Sequence, residues 1–332
     1  MNEAILAEGL VREFKGGIRA VDGVDLQVRP GEVYGFLGPN GAGKSTTVRM
    51  LATLLRPTGG SATVAGFDVA SEAKSVRRSI GVALQDAAID PFMTGRELLH
   101  LQGVLHGLSR AECRSTADRL LDRVGLTEAA ERRVGTYSGG MRRRLDLALA
   151  LVHEPVVLFL DEPTTGLDPT SRLALWEEVR RLNTEAGTTV FLTTQYLEEA
   201  DQLAGRVGII DGGRIVAEGT PQQLKAEVGD PALVITPADP ERRDAAQEVL
   251  VRFGPEVEAR PPGTAAARLP GGAARVAEAV RALDEAGIST ASLDLHQPTL
   301  DDVFVAKTGR RLEGHGGGES PAAGRGKRGR RR

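Results

Sequence analysis

"GPNGAGKST", residues 38–46, decides the fold. It satisfies G-x-x-x-x-G-K-[ST] and stands between an apolar strand pattern, "VYGFL", and a helical one, "STTVRMLATLL". The glycines let backbone N–H groups and the first turn of a helix surround phosphate oxygens. In that setting Lys44 reaches the β- and γ-phosphates and the Ser45 hydroxyl binds Mg²⁺. Strand, loop and helix in this order predict an α/β protein.

Outward from the loop, short apolar runs alternate with helical patterns up to about residue 220. The expected strands are "EVYGFLG", "IGVALQ", "VVLFLDE", "TVFLTT" and "RVGIID", several of them almost wholly apolar. Such runs fit strands covered on both faces of a mostly parallel sheet. Between 94 and 132 the pattern is helical throughout, which predicts a helical subdomain, about 90–145, inserted into a sheet domain of residues 1–222. From 223 to 309, "ALVITPA", an amphipathic segment, "EVEAR", "AAARLP", a second helix and "ISTASLDL" predict β-α-β-β-α-β, a small α+β ferredoxin-like domain. Residues 310–332, Gly-rich and basic, are expected to be a disordered tail, either merely solvated or touching anionic lipid or RNA.

Composition narrows the classes. At 332 residues and 41% hydrophobic, the chain can bury a large core and a smaller one. The net charge is −3, but six positive residues fall within 325–332, leaving the rest at about −9. An acidic body is a poor nucleic-acid surface, because duplex affinity requires many phosphates to be neutralised. Cys113 stands alone and the five histidines lack ligand spacing, so neither a disulfide nor a zinc site is expected. No basic-then-apolar leader opens the chain, and no apolar run reaches the roughly 18–20 residues that span a bilayer.

Two further segments carry chemistry. "VVLFLDEPTTGLD" ends an apolar strand on Asp161 and Glu162, a pair that can divide labour: Asp161 toward Mg²⁺, Glu162 toward the attacking water. In "TYSGGMRRRLDLALALVHEP", Ser138, Gly139 and Gly140 at a helix start form a second donor surface for phosphate. The arginines after them, Arg142, Arg143 and Arg144, are read as an exposed basic helix face, with phosphate or partner contact as the alternative.

In order and spacing these segments resemble the nucleotide-binding subunit of an ATP-binding-cassette (ABC) transporter over about residues 4–220. The resemblance implies a RecA-like core with an antiparallel β part and an inserted helical subdomain. It implies that Gly38, Pro39, Asn40, Gly41, Ala42, Gly43, Lys44, Ser45 and Thr46 bind ATP, that Phe14 stacks on adenine, and that Ser45, Gln85 and Asp161 serve Mg²⁺. It makes Lys44, Glu162 and Gln195 the catalytic set, adds Asp168 of the "GLD" turn, and assigns Ser138, Gly139 and Gly140 to the nucleotide of a second copy. The implied assembly is a homodimer sandwiching ATP, peripheral on the cytoplasmic face of the membrane, beside a multispanning permease on a separate chain.

The sequence departs from the family pattern twice. "TVFLTTQYLEEAD" carries Gln195 where a histidine is common; its amide keeps an N–H donor but cannot titrate. Met141 replaces the usual glutamine of the signature. With "PTLDDVFVAKTG" near residue 309, this makes the chain similar to daunorubicin/doxorubicin-resistance ATP-binding proteins, which implies drug export, with a lipid, polysaccharide or peptide cargo as the alternative. A soluble ABC protein acting on ribosome or DNA would usually carry two cassettes or a coiled coil, and neither pattern is present.

Overall fold

The structure, a computed structural model, describes residues 3–85, 89–257 and 262–310. In chain order, β1 (Ile5–Phe14) and β2 (Ile18–Val28) form a hairpin, β3 (Val33–Leu37) leads into α1 (Lys44–Leu51), and β4 (Gly59–Val64), β5 (Phe67–Asp68) and α2 (Ala73–Ser79) lead to β6 (Ile80–Ala83). Three helices follow: α3 (Gly95–Leu105), α4 (Arg110–Arg123) and α5 (Gly139–Ala150). The chain then returns through β7 (Val157–Asp161), α6 (Pro169–Ala186), β8 (Thr189–Thr194), α7 (Leu197–Leu203), β9 (Arg206–Asp211), β10 (Arg214–Gly219) and α8 (Pro221–Val228). Last come β11 (Ala232–Pro237), α9 (Arg243–Leu250), β12 (Ala265–Arg268), α10 (Val276–Glu285), β13 (Thr290–His296) and α11 (Leu300–Thr308).

The expected apolar runs are the parallel strands of one sheet, ordered β10-β9-β3-β8-β7-β6, with β10 antiparallel at the edge. Every residue of β3, β7 and β8 is buried, which is why those runs show no alternation. One face packs on α5, α6 and the α3–α4 helices through Leu120, Leu145, Leu158 and Leu192. The other packs toward the antiparallel sheet β2-β1-β4-β5. There Phe191 of β8 meets Phe36 and Phe159 with ring centroids 5.4 and 5.7 Å apart and stacks on Tyr34 at 5.6 Å. Each such pair adds about 0.5–1.5 kcal/mol beyond burial, so the strand ends that carry the site rest on a stiff floor.

The last three strands form a separate antiparallel sheet, β12-β11-β13. Glu256 makes an isolated antiparallel bridge with Ala267 on the outer side of β12, the place that a ferredoxin-like order gives to the expected strand "EVEAR". Residues 258–260 of that stretch lie outside the described residues, as do 311–332 of the basic tail. Helices α9 and α10 cover one face of this sheet, closing a core of Leu233, Ile235, Leu250, Ala267 and Leu283. Helix α11 is not part of that core. Its Leu300, Val303 and Phe304 pack against Leu197, Ala200, Val207 and Leu224, on α7, β9 and α8. No helix among the described residues is long and apolar enough to cross a membrane.

Candidate functional site

The loop of residues 38–43 turns between β3 and α1 through two glycines with left-handed backbone, Gly41 at φ 79° and Gly43. Gly43 sits at φ 112°, and a Cβ there would lie 2.4 Å from the carbonyl oxygen of Ala20 on β2. The loop is thereby pressed against the hairpin that bears Phe14. Gly43 is also the N-cap of α1 and offers no side chain, so the opening amides of the helix, at Lys44, Ser45 and Thr46, are left for a ligand.

Lys44 is 4% exposed and its ammonium is fully engaged: Nζ donates to Gly38 O at 2.7 Å and Pro39 O at 3.1 Å and pairs with Glu162 Oε1 at 3.3 Å. Burial lowers its pKa, against the opposing pull of Glu162 and Asp161. Ser45 Oγ donates to Asp161 Oδ1 at 3.1 Å, and the Thr193 hydroxyl donates to the same carboxylate oxygen. Glu162 is 6% exposed and holds φ 48°, a left-handed backbone that is costly for a residue with a Cβ. Strand β8 stabilises it, since the Glu162 amide donates to Thr193 O at 3.0 Å and Thr193 Oγ1 at 3.2 Å. Thr165 Oγ1 donates to Glu162 Oε2 at 3.3 Å. Lys44, Ser45, Asp161 and Glu162, 116 residues apart at the Ser45–Asp161 contact, are thus one cluster. Thr193 escaped the sequence reading; its signal was the pair of threonines closing the apolar run "TVFLTT".

A hydroxyl and a carboxylate at the loop suit Mg²⁺, which favours hard oxygens and keeps several ligand places for water and phosphate. Groups of three or more His, Cys, Asp or Glu able to hold a metal are absent among the described residues.

Ser138 caps α5, its Oγ accepting from Met141 N at 3.2 Å. Gly139 faces open space, whereas a Cβ on Gly140 would lie 2.6 Å from Ser171 Oγ, beside Asp168. Asp168 caps α6, accepting from Ser171 N at 3.0 Å and Ser171 Oγ at 2.6 Å, bonds that hold its carboxyl below the usual range. The arginines that follow do not form the exposed basic face expected from sequence. Arg142 is exposed, but Arg144 donates to Val124 O at 2.8 Å and Arg143 is 11% exposed. Arg143 Nε donates to Pro163 O at 2.9 Å, Nη2 to Asp161 O at 2.8 Å, and Nη1 to Leu84 O at 2.5 Å and Asp146 Oδ2 at 3.1 Å. The reading failed because a charged residue is ordinarily exposed, and only carbonyls brought from two distant segments, with the Asp146 carboxylate, make burial tolerable.

Burial pushes the Asp146 carboxyl up from 3.8 to about 6, against the pull of Arg143. A folded-state value above the unfolded one means that folding takes up a proton. The group's contribution to stability is therefore complete below about pH 4 and lost as pH rises through about 6. Asp146→Asn, which never ionises, is expected to gain stability relative to the parent between pH 4 and 7. Urea midpoints for the two proteins would check this, and a constant difference across that window would refute it.

Gln195 directly follows β8, half-buried, and Gln85 lies exposed two residues beyond β6, directly after the Leu84 carbonyl that Arg143 holds. Residues 86–88 of that loop lie outside the described residues. Phe14, 39% exposed at the end of β1, carries the Arg12 guanidinium 4.7 Å from its ring centroid. Lys44, Ser45, Asp161 and Glu162 are joined by direct contacts; of the Ser138–Gly140 turn, Gly140 instead packs beside Asp168 and Ser171.

Residues 21–165 match the ABC transporter family. The chain is 50% identical over 307 residues to the daunorubicin/doxorubicin resistance ATP-binding protein DrrA of Streptomyces peucetius, covering 92% of each chain. It is 39% identical to the Nod factor export ATP-binding protein I of Paraburkholderia xenovorans, over 94% of this chain and 100% of that one. Among solved structures, a dimeric ATP-binding cassette in a post-hydrolysis state bound to ADP and Pi matches with a TM-score of 0.61 at 26% identity, covering 65% of this chain and 98% of that one. The cbiO1 subunit of the Clostridium perfringens cbiONQ transporter matches at 0.63 and 28%, covering 68% and 92%. With its phosphate loop, paired carboxylates and signature turn on that fold, the chain belongs to the ABC transporter family, among ATP-binding proteins of the daunorubicin/doxorubicin-resistance type.

Proposed function

We propose that this chain is the ATP-hydrolysing subunit of a drug exporter, acting as a homodimer on the cytoplasmic face of the membrane and driving a separate multispanning permease. The observation that carries the reading is the cluster of Lys44, Ser45, Asp161 and Glu162 at the head of α1. Carbonyls of Gly38 and Pro39 hold the Lys44 ammonium where phosphate oxygens of ATP would draw it out. The helix amides and Lys44 bind the β- and γ-phosphates, and Phe14 stacks on the adenine. Ser45, Asp161 and Gln85 would hold Mg²⁺, which supplies charge neutralisation on the phosphates. Glu162 orients the attacking water and accepts its proton, while Gln195 donates its amide N–H toward the γ-phosphate. Ser138, Gly139 and Gly140, with Gly139 open to solvent, complete the site of the second copy.

Closure of the dimer on ATP and its opening after hydrolysis do work only through their different affinities for the permease conformations. The permease contact is assigned to the α3 region, where Phe92, Leu101, Val104 and Leu105 are 77%, 44%, 52% and 72% exposed. So many large apolar side chains on one exposed segment call for a partner. Drug as cargo is supported by the resemblance to DrrA alone, because no residue of this chain is assigned to cargo. Cells expressing this chain with its permease are expected to accumulate less daunorubicin than cells expressing the Lys44→Ala variant. Equal accumulation would overturn the assignment.

A further inference from the structure

We infer that Arg143 is a positioning residue for hydrolysis, tying the signature helix of the chain to the backbone that presents Glu162. The inference rests on the reading of Glu162 as the group that acts on water. The guanidinium spends its donors on three main-chain carbonyls from two segments, Leu84 on one and Asp161 and Pro163 on the other, and on the Asp146 carboxylate one turn along its own helix. Two of those carbonyls, at 161 and 163, flank Glu162 in sequence. The third belongs to the residue before Gln85. Strand β8 meanwhile takes the Glu162 amide through Thr193. The left-handed turn at Glu162, φ 48°, is therefore gripped from both sides, and such a conformation persists only where its surroundings over-determine it.

The geometry needs an arginine. Its planar fork presents five N–H donors along fixed, diverging directions, whereas a lysine ammonium is a compact charge that cannot span three separated carbonyls. Arg143 lies five residues beyond Ser138 on the same helix, α5, whose N-terminal turn is assigned to the nucleotide of the second copy.

The test uses the full chain with its permease. For Arg143→Ala, kcat is expected to fall about 10²-fold, the size of effect that follows a small misplacement of a catalytic group. KM for ATP should stay within about threefold, because the phosphate loop is untouched. Millimolar guanidinium is expected to restore part of the lost kcat in Arg143→Ala and none in the parent. Arg143→Lys, which keeps the charge, should recover less than half. If Arg143→Ala misfolds, Arg143→Lys decides alone: loss of more than half the parental kcat at unchanged KM supports the inference, and parental kcat overturns it. Turnover by Arg143→Ala equal to the parent, a loss confined to KM, or a loss that only tracks the folded fraction and ignores guanidinium would overturn the inference. Glu162→Gln separates the two ideas. If it hydrolyses ATP normally the reading of Glu162 is wrong, and if it is silent while Arg143→Ala is normal only the role of Arg143 falls.

Discussion

Glu162→Gln is expected to lower ATP turnover by about 10²- to 10⁴-fold, the range supplied by a positioned acid–base group, while ATP binding is retained. The substitution preserves shape and one hydrogen-bonding oxygen, so the left-handed backbone and the Thr193 and Thr165 contacts can survive. What it removes is the negative charge 3.3 Å from Lys44 Nζ and the ability to take a proton from water. Lys44, no longer paired with a carboxylate, should turn more readily to phosphate, which is why affinity is expected to hold or rise. Phosphate release and equilibrium binding of nucleotide, measured on the same preparation, separate the two effects. Near-parental turnover would remove Glu162 from the mechanism. Gln195→Ala should slow hydrolysis less than Glu162→Gln does, because a neutral amide gives up only one hydrogen bond to a charged group.

Phe304→Ala carries the largest expected loss of stability, about 3–5 kcal/mol, from a total that is normally about 5–15 kcal/mol. Phe304 is 1% exposed and sits with Leu300 and Val303 in the core formed by α7, β9 and α8. Thr299 opens α11 with a reciprocal cap to Asp302, and Gly309 ends it at φ 71°, so the helix is well delimited before it packs. The ion pairs at its end, Lys307–Glu227 at 2.7 Å and Arg310–Asp211, are solvent-exposed and add little. Burial of the apolar stripe is therefore what holds α11 in place. Urea unfolding should show the full loss, and a change below about 1 kcal/mol would mean that α11 is a surface attachment.

Much of the site was readable because its parts are local. The phosphate loop needs its glycines, lysine and serine at fixed spacing, and the Asp161–Glu162 pair announces itself at the end of an apolar run. Arg143 was misread for the converse reason. Within its own helix only Asp146, one turn on, distinguishes it from Arg142, and its other acceptors come from positions 84, 161 and 163. Helix α11 was likewise grouped by sequence proximity with the small sheet, although its apolar face is satisfied by the larger domain.

By itself the sequence determined the α/β class, the five buried parallel strands, the phosphate loop and the residues proposed to meet nucleotide. Those follow from periods of two and 3.6 residues and from backbone freedom at glycine, which are properties of neighbours along the chain. Only the tertiary structure decided that Thr193 meets Asp161, that Arg143 grips both sides of Glu162 and that α11 closes the core beside α7. Those contacts depend on the lateral order of the sheet, with β8 between β3 and β7, and strand order is a choice among packings that local patterns leave equal.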